Sequence, residues 1–160
     1  PKFIVKNNLK CWGEPELGFV IKKRIPINSK INKNFIYGYL ICNDVTFTNN
    51  FKNDHHLPIS KSIDKSLPIS DFIETNYEYE GKNIYSLHNK LVHRIGVLDD
   101  MIYKPIEIIE IINKYFELNS GDLILSGAPP RIKRRTFIKN KDTYECFIDG
   151  LGSIKNLFCY

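Results

Sequence analysis

The sequence has no cysteine pair at the two-to-four-residue spacing that zinc sites use: its four cysteines stand at positions 11, 42, 146 and 159. Reduced, partly buried thiols are expected instead. No stretch approaches the ~18 apolar residues of a membrane span, and the opening Pro-Lys-Phe-Ile-Val-Lys has no apolar core of a secretory signal. The chain is therefore expected to be intracellular, in the cytoplasm or in an organelle such as the mitochondrial matrix, with no membrane partner. Long blocks of like charge, internal repeats and linkers are also missing, which argues against general disorder. There is no initiating methionine either, and the expectation is a shortened chain or a fragment of a longer one.

What is present suits a folded domain. Over 160 residues, 42% are apolar and 12% aromatic, ordinary values for a globular protein. A chain of this length buries roughly two-thirds of the surface it exposes when unfolded. The net charge of +5 favours anionic partners, and small organic acids satisfy it as well as nucleic acid does. The one compact basic cluster, Arg131, Lys133, Arg134 and Arg135, has no interleaved aromatic platforms and reads as a solvated loop, so no nucleic-acid partner is expected.

Local patterns predict a β-rich chain. Leu17 to Lys23 and Phe35 to Cys42 read as strands, with a short helix in the polar stretch between them. Residues 47–60 read as a functional or mobile loop and Pro68 to Ile73 as a strand. A hairpin follows, centred on His88-Asn89-Lys90. Pro105 opens the one main helix, predicted over 105–118 with Ile108, Ile109, Ile112, Tyr115 and Phe116 on its buried face. Leu123 to Ala128 reads as a buried strand, and Thr143 to Ile148 with Ser153 to Tyr160 as a closing hairpin.

The tripeptide Glu14-Pro15-Glu16 carries the chemistry. In an extended strand, side chains two apart share a face, and Pro15 disfavours helix at Glu14. Two carboxylates held so close repel unless a cation lies between them. Asp44, following the Tyr37 to Cys42 strand, is placed where a neighbouring strand brings it to the same point. On spacing alone, solvent-facing acids explain any Glu-x-Glu as readily. If the three do converge, an all-oxygen site favours Mg²⁺ or Mn²⁺, with Ca²⁺ admissible, over zinc or copper.

Five blocks in order resemble one family. Glu14 to Ile21 is similar to the Glu-x-Glu-Leu-x-x-Val-Ile segment of the fumarylacetoacetate hydrolase family, and Tyr37 to Thr46 resembles its Gly-Tyr-x-x-x-Asn-Asp-x-Thr segment. Ser60-Lys61-Ser62 with Pro68, Ser120 to Pro129, and Asp149-Gly150-Leu151-Gly152 match the later blocks. The acylpyruvase and oxaloacetate decarboxylase branch is the nearest in pattern. The resemblance implies an α+β, β-rich fold, a mixed-sheet β-roll with one main helix, spanning residues 1–160 as a single catalytic domain without the family's upstream lid. It implies that Glu14, Glu16 and Asp44 hold Mg²⁺ or Mn²⁺, that Lys61 contacts a small 2-oxo acid or 1,3-dicarbonyl substrate, and that an enolate is stabilised during hydrolysis or decarboxylation. Relatives are commonly homodimers, and the apolar end Leu157-Phe158-Cys159-Tyr160 is expected to serve an interface.

Several positions depart from that pattern. Thr48 and Asn49 stand where many relatives carry Arg-Asp, and Ala128 replaces a threonine that contacts substrate oxygen. The lid's histidine and glutamate have no counterpart in the thirteen residues before Glu14. His55 and His56 are the candidate substitute bases, whereas His88 and His93 look structural. Two functions follow as expectations: a metal-dependent hydrolase or lyase, or a non-catalytic homologue that keeps the fold and serves as a metal-binding partner subunit.

Overall fold

The computed structural model of the chain describes residues 2–4, 9–48, 57–132, 134 and 136–159, with residues 2–4 described by backbone alone. The elements run β1 (Lys2–Ile4), β2 (Cys11–Trp12), β3 (Pro15–Ile21), β4 (Ile36–Asn43), β5 (Thr46–Phe47), α1 (Leu57–Lys61), β6 (Asn83–His88), β7 (Leu91–Val97), α2 (Pro105–Asn113), β8 (Leu123–Leu125), β9 (Thr143–Ile148) and β10 (Gly152–Cys159). They build a five-stranded sheet in the order β1-β10-β9-β6-β7, a three-stranded sheet β4-β3-β8 and a two-stranded ribbon β2-β5. β1 lies parallel to β10 while the other pairs are antiparallel. The β-rich α+β class, with mixed sheet and one main helix, is thus the one observed.

Strand β3 organises the molecule because it is flanked on both sides, by β4 and β8. Its alternation puts Leu17, Phe19 and Ile21 on one face, all but inaccessible to solvent. Leu17 joins a cluster with Ile41, Phe47, Tyr144, Ile148 and Phe158. Phe19 and Ile21 join a second cluster with Ile25, Ile109, Leu118 and Ile124, which seats α2. Glu14 and Glu16 belong to the opposite face, so the apolar alternation that fixes the register also aims the two carboxylates together.

The hairpin at β6 and β7 closes through Asn89 (φ 49°) and Lys90 (φ 69°), the consecutive left-handed residues of a tight two-residue turn. The short helix anticipated in 26–34 is a single 3₁₀ turn at Lys33–Phe35, capped by the Asn32 side chain on the Asn34 N–H.

Four expectations need correction. The main helix ends at Asn113, not 118, because the buried Asn113 amide turns back to donate to the carbonyls of Ile25, Pro26 and Phe116 and ends the regular turns. Tyr115 and Phe116 are consequently 72% and 64% exposed instead of lying on the buried face. The segment 68–73 forms no continuous strand. Pro68 has no N–H to give, and the Ser70 hydroxyl accepts the Ile41 N–H, so the segment follows β4 through isolated bridges at Ile69 and Glu74. The strand expected at Leu123 to Ala128 stops at Leu125, where the Ser126 side chain takes the Leu17 N–H and Gly127 turns to φ +87°. Finally, Leu157 to Cys159 are not a free apolar edge: they lie between β1 and β9, with Phe158 fully buried, and Tyr160 is outside the described residues.

Candidate metal centre

The carboxylates of Glu14, Glu16 and Asp44 converge, each offering an oxygen within 4.8 Å of the others. Backbone pairing produces this. Pro15 stands opposite Asn43 in the β3–β4 ladder, and one step on the Asp44 N–H donates to the Glu14 carbonyl at 2.9 Å. Asn43 locks the corner, its Oδ1 accepting the Glu14 N–H at 3.1 Å while its Nδ2 donates to Asn156 Oδ1 at 2.9 Å. Behind Glu14, the Tyr144 hydroxyl donates to the Gly13 carbonyl at 2.9 Å.

Each acid has its own surroundings. Glu16, 4% exposed, accepts one backbone donor, the Gly127 N–H at 2.7 Å, which reaches it because of the left-handed turn at Gly127. Burial, and then the charge of Asp44, push the Glu16 carboxyl up to about 7, against the opposing pull of the Gly127 N–H and Lys61. Glu14 behaves oppositely. Burial acts to raise it, but the charge and hydrogen bond of Lys61, the charge of Arg94 and the Trp12 indole N–H together hold it below the usual carboxylate value. Trp12 Nε1 donates to Glu14 Oε1 at 3.1 Å, and the Thr46 hydroxyl to Oε2 at 3.2 Å.

Lys61, the last residue of α1, places its ammonium on Glu14 Oε2 at 3.0 Å and against Asp44 Oδ2. Burial alone would lower its pKa, yet its hydrogen bond to Asp44 and the charges of both acids raise it, so Lys61 stays cationic. The ammonium stands where positive charge is wanted. Arg94 was not singled out in the sequence. From β7 it reaches Glu14 Oε1 at 2.5 Å and the Pro129 carbonyl at 2.6 Å. The available signal was a charged residue beside His93 inside a strand whose other side chains are apolar.

The remaining candidates fall elsewhere. Ala128 follows Gly127 and lines an apolar cavity of about 690 Å³ with Leu98, Met101, Ile108 and Pro129, so a methyl group stands at that edge of the centre. Thr48 is engaged with Lys10, accepting its N–H at 3.0 Å and donating its own backbone N–H to the Lys10 carbonyl at 2.7 Å. His55, His56 and Asn49 lie outside the described residues. His88 pairs with Asp142 at 2.8 Å. His93 hydrogen-bonds Tyr144 at 2.8 Å, and burial followed by the Arg94 charge lowers its pKa to about 4, which keeps the ring neutral. Among the described residues no helix is long and apolar enough to cross a membrane.

The donor chemistry fits a hard divalent cation. Among the described residues three carboxylates outnumber the two cationic side chains that touch them, and the most buried acid is held protonated to near neutral pH by burial first and then by the charge of Asp44. An ion at this point would relieve that repulsion.

Comparison with known proteins places these features in a wider group. The chain is 32% identical to an uncharacterized protein of Staphylococcus epidermidis (strain RP62A), covering 88% of this chain and 50% of that one. Among solved structures, 2-hydroxyhepta-2,4-diene-1,7-dioate isomerase from Mycobacterium marinum superposes with a TM-score of 0.84 at 26% identity, covering 99% of this chain and 62% of that one. Fumarylacetoacetate hydrolase from psychrophilic Exiguobacterium antarcticum gives 0.85 at 22% identity, covering 96% and 57%. The chain thus spans about half the length of the curated relatives it matches. The model of the fumarylacetoacetate (FAA) hydrolase C-terminal domain matches residues 6–158, and with nearly the whole chain so covered, this protein belongs to the fumarylacetoacetate hydrolase family.

Proposed function

We propose that this chain is the catalytic domain of a divalent-metal-dependent enzyme acting on small 2-oxo acids or 1,3-dicarbonyls, with Glu14, Glu16 and Asp44 as metal ligands. The observation that carries this reading is the convergence of those three carboxylates, two of them less than 8% exposed, within 4.8 Å of one another. Mg²⁺ or Mn²⁺ suits the all-oxygen set best, and Ca²⁺ is admissible. A divalent ion bound there supplies a Lewis acid that stabilises the negative charge of an enolate.

The chain's own groups do the rest. Lys61 is the residue assigned to the substrate: its side chain is 32% exposed, so it can leave Glu14 and Asp44 and turn its charge to the substrate's anionic oxygens. Arg94 and Trp12 hold Glu14 from Oε1, so its Oε2, which keeps the Thr46 hydroxyl, is the oxygen with a lone pair open to a metal once Lys61 moves. The Gly127 N–H fixes Glu16 in the same way. An enolate is common to carbon-carbon hydrolysis, decarboxylation and the isomerisation named for the mycobacterial neighbour. Within that group, the acylpyruvase and oxaloacetate decarboxylase reactions are the proposed assignment, supported by the order of the sequence blocks. A homodimer is part of the proposal, supported by Leu91, Val92 and Ile95, which stay exposed along the sheet edge at β7.

A second reading, a non-catalytic metal-binding partner subunit, is favoured by Thr48 and Ala128. The first is occupied with Lys10 and the second offers no oxygen. Assaying oxaloacetate and an acylpyruvate with Mn²⁺ separates the two. Turnover that disappears in Asp44→Ala is the expected result, Mn²⁺ binding without turnover selects the partner subunit, and absence of both refutes the metal centre.

Metal affinity should also depend on pH. Below about 7, Glu16 carries a proton that an incoming ion must displace. The Mn²⁺ dissociation constant is expected to weaken about tenfold per pH unit below that value and to level off above it. Calorimetry in two buffers of different ionisation enthalpy would show one proton released per ion at pH 6 and none at pH 8.5; equal release at both would contradict the assignment.

A further inference from the structure

We propose that Arg94 sets the electrostatic balance of this centre, weakening its hold on the cation and strengthening its hold on an anionic ligand, an inference that rests on Glu14, Glu16 and Asp44 being the metal ligands. Arg94 is 5% exposed, and its guanidinium sits on an acid of the cluster at 2.5 Å. A buried arginine in the middle of β7 is costly, and its Nε has no hydrogen-bond partner. Such a residue is explained by the charge it opposes.

Its position differs from that of Lys61 in a way that matters. Lys61 approaches Glu14 Oε2 and Asp44 from a partly exposed helix end and can withdraw. Arg94 approaches Glu14 Oε1 and is tethered by the Pro129 carbonyl at 2.6 Å, so its charge is a permanent part of the centre. Three ionised carboxylates facing Lys61, Arg94 and one divalent cation leave a single net positive charge, enough to attract an anion that chelates through two oxygens. Without Arg94 the centre becomes neutral once the ion is bound. The same charge repels the ion itself, so affinity for cation and affinity for anion respond to Arg94 with opposite sign.

That opposition provides the test. Mn²⁺ binding to the protein, and oxalate binding to the Mn²⁺-loaded protein, would be measured by calorimetry at pH 8 for wild type, Arg94→Gln and Arg94→Lys. Arg94→Gln is expected to bind Mn²⁺ on the order of tenfold more tightly and oxalate on the order of tenfold more weakly. Arg94→Lys, which keeps the charge but not the two-point hydrogen bonding, should stay close to wild type in both. Should the glutamine variant not fold, Arg94→Met, apolar and of similar length, makes the same comparison. If both affinities fall together in Gln and Lys alike, or neither changes, Arg94 is only structural and the inference is overturned. Failure of wild type to bind Mn²⁺ at all removes the metal centre first, and this inference with it.

Discussion

Glu16→Gln should make the metal-free protein more stable at pH 8 while abolishing its response to Mn²⁺. The Glu16 carboxyl is raised to a pKa of about 7 in the fold, against 4.5 for an unperturbed glutamate. A proton is held more tightly in the folded state than in the unfolded one, so this group's contribution is most favourable below pH 4.5. It is lost as pH rises through 7, a loss of about 3 kcal/mol in all. Glutamine has the same shape, still accepts the Gly127 N–H and carries no charge to be desolvated beside Asp44. Its advantage should therefore be small at pH 5 and grow toward pH 8. Wild type, by contrast, should gain stability from the ion: at a hundred times the dissociation constant, about 2.7 kcal/mol, or a melting temperature higher by about 5–11 °C for a domain of this size. Melting curves of both proteins at pH 5 and 8, with and without Mn²⁺, contain the whole comparison. An Mn²⁺ shift that persists in Glu16→Gln would remove Glu16 from the ligand set.

Gly13→Ala should destabilise the protein by at least about 3 kcal/mol. A Cβ at position 13 would fall on the ring of Tyr144, 2.5 Å from Cδ1 and 2.7 Å from Cζ. The ring has nowhere to go. Tyr144 is fully buried, and its hydroxyl gives its one proton to the Gly13 carbonyl while accepting from Ser86 Oγ and His93 Nδ1, each at 2.8 Å. Gly13 is also the residue before Glu14, so any backbone shift that relieves the clash moves a proposed ligand. Urea unfolding of Gly13→Ala, Tyr144→Leu and the double variant would measure the contact directly. A smaller side chain at 144 should absorb part of the alanine penalty, giving a coupling of about 1 kcal/mol or more. Additive penalties would refute the steric account.

Much of the framework was legible because it is written in short periods. Leu17, Phe19 and Ile21 alternate, and Asn89-Lys90 supplies turn chemistry, so β3 and the β6–β7 hairpin follow from neighbours two residues apart. Glu14-Pro15-Glu16 belongs to the same class: once the segment is extended, the pleat alone puts both acids on one face. The helix boundary failed because a side chain, not the apolar period, decides it. Asn113 finds carbonyls at Ile25 and Pro26, far away in sequence, and no local pattern announces that. The segment 68–73 failed for a related reason, since Ser70 spends its hydroxyl on β4. Arg94 was missed because an arginine in a mostly apolar strand carries no sign of its target, Glu14, 80 positions away. The apolar tail was misjudged because hydrophobicity does not distinguish a sheet interior from a docking face, and β1 covers it from the opposite end of the chain.

The hydrogen bonds that frame the cluster join residues 32, 47, 80 and 111 positions apart. The β3–β4 hairpin alone brings Glu14, Glu16 and Asp44 together, but the groups that hold the first two in place come from Arg94 and Gly127, so the centre is complete only after β3 has acquired both flanking strands and β7 is in place. Where contacts made late stabilise only the finished fold, an ion bound at this place would act as a latch: it would leave the speed of folding nearly unchanged and retard escape from the folded state.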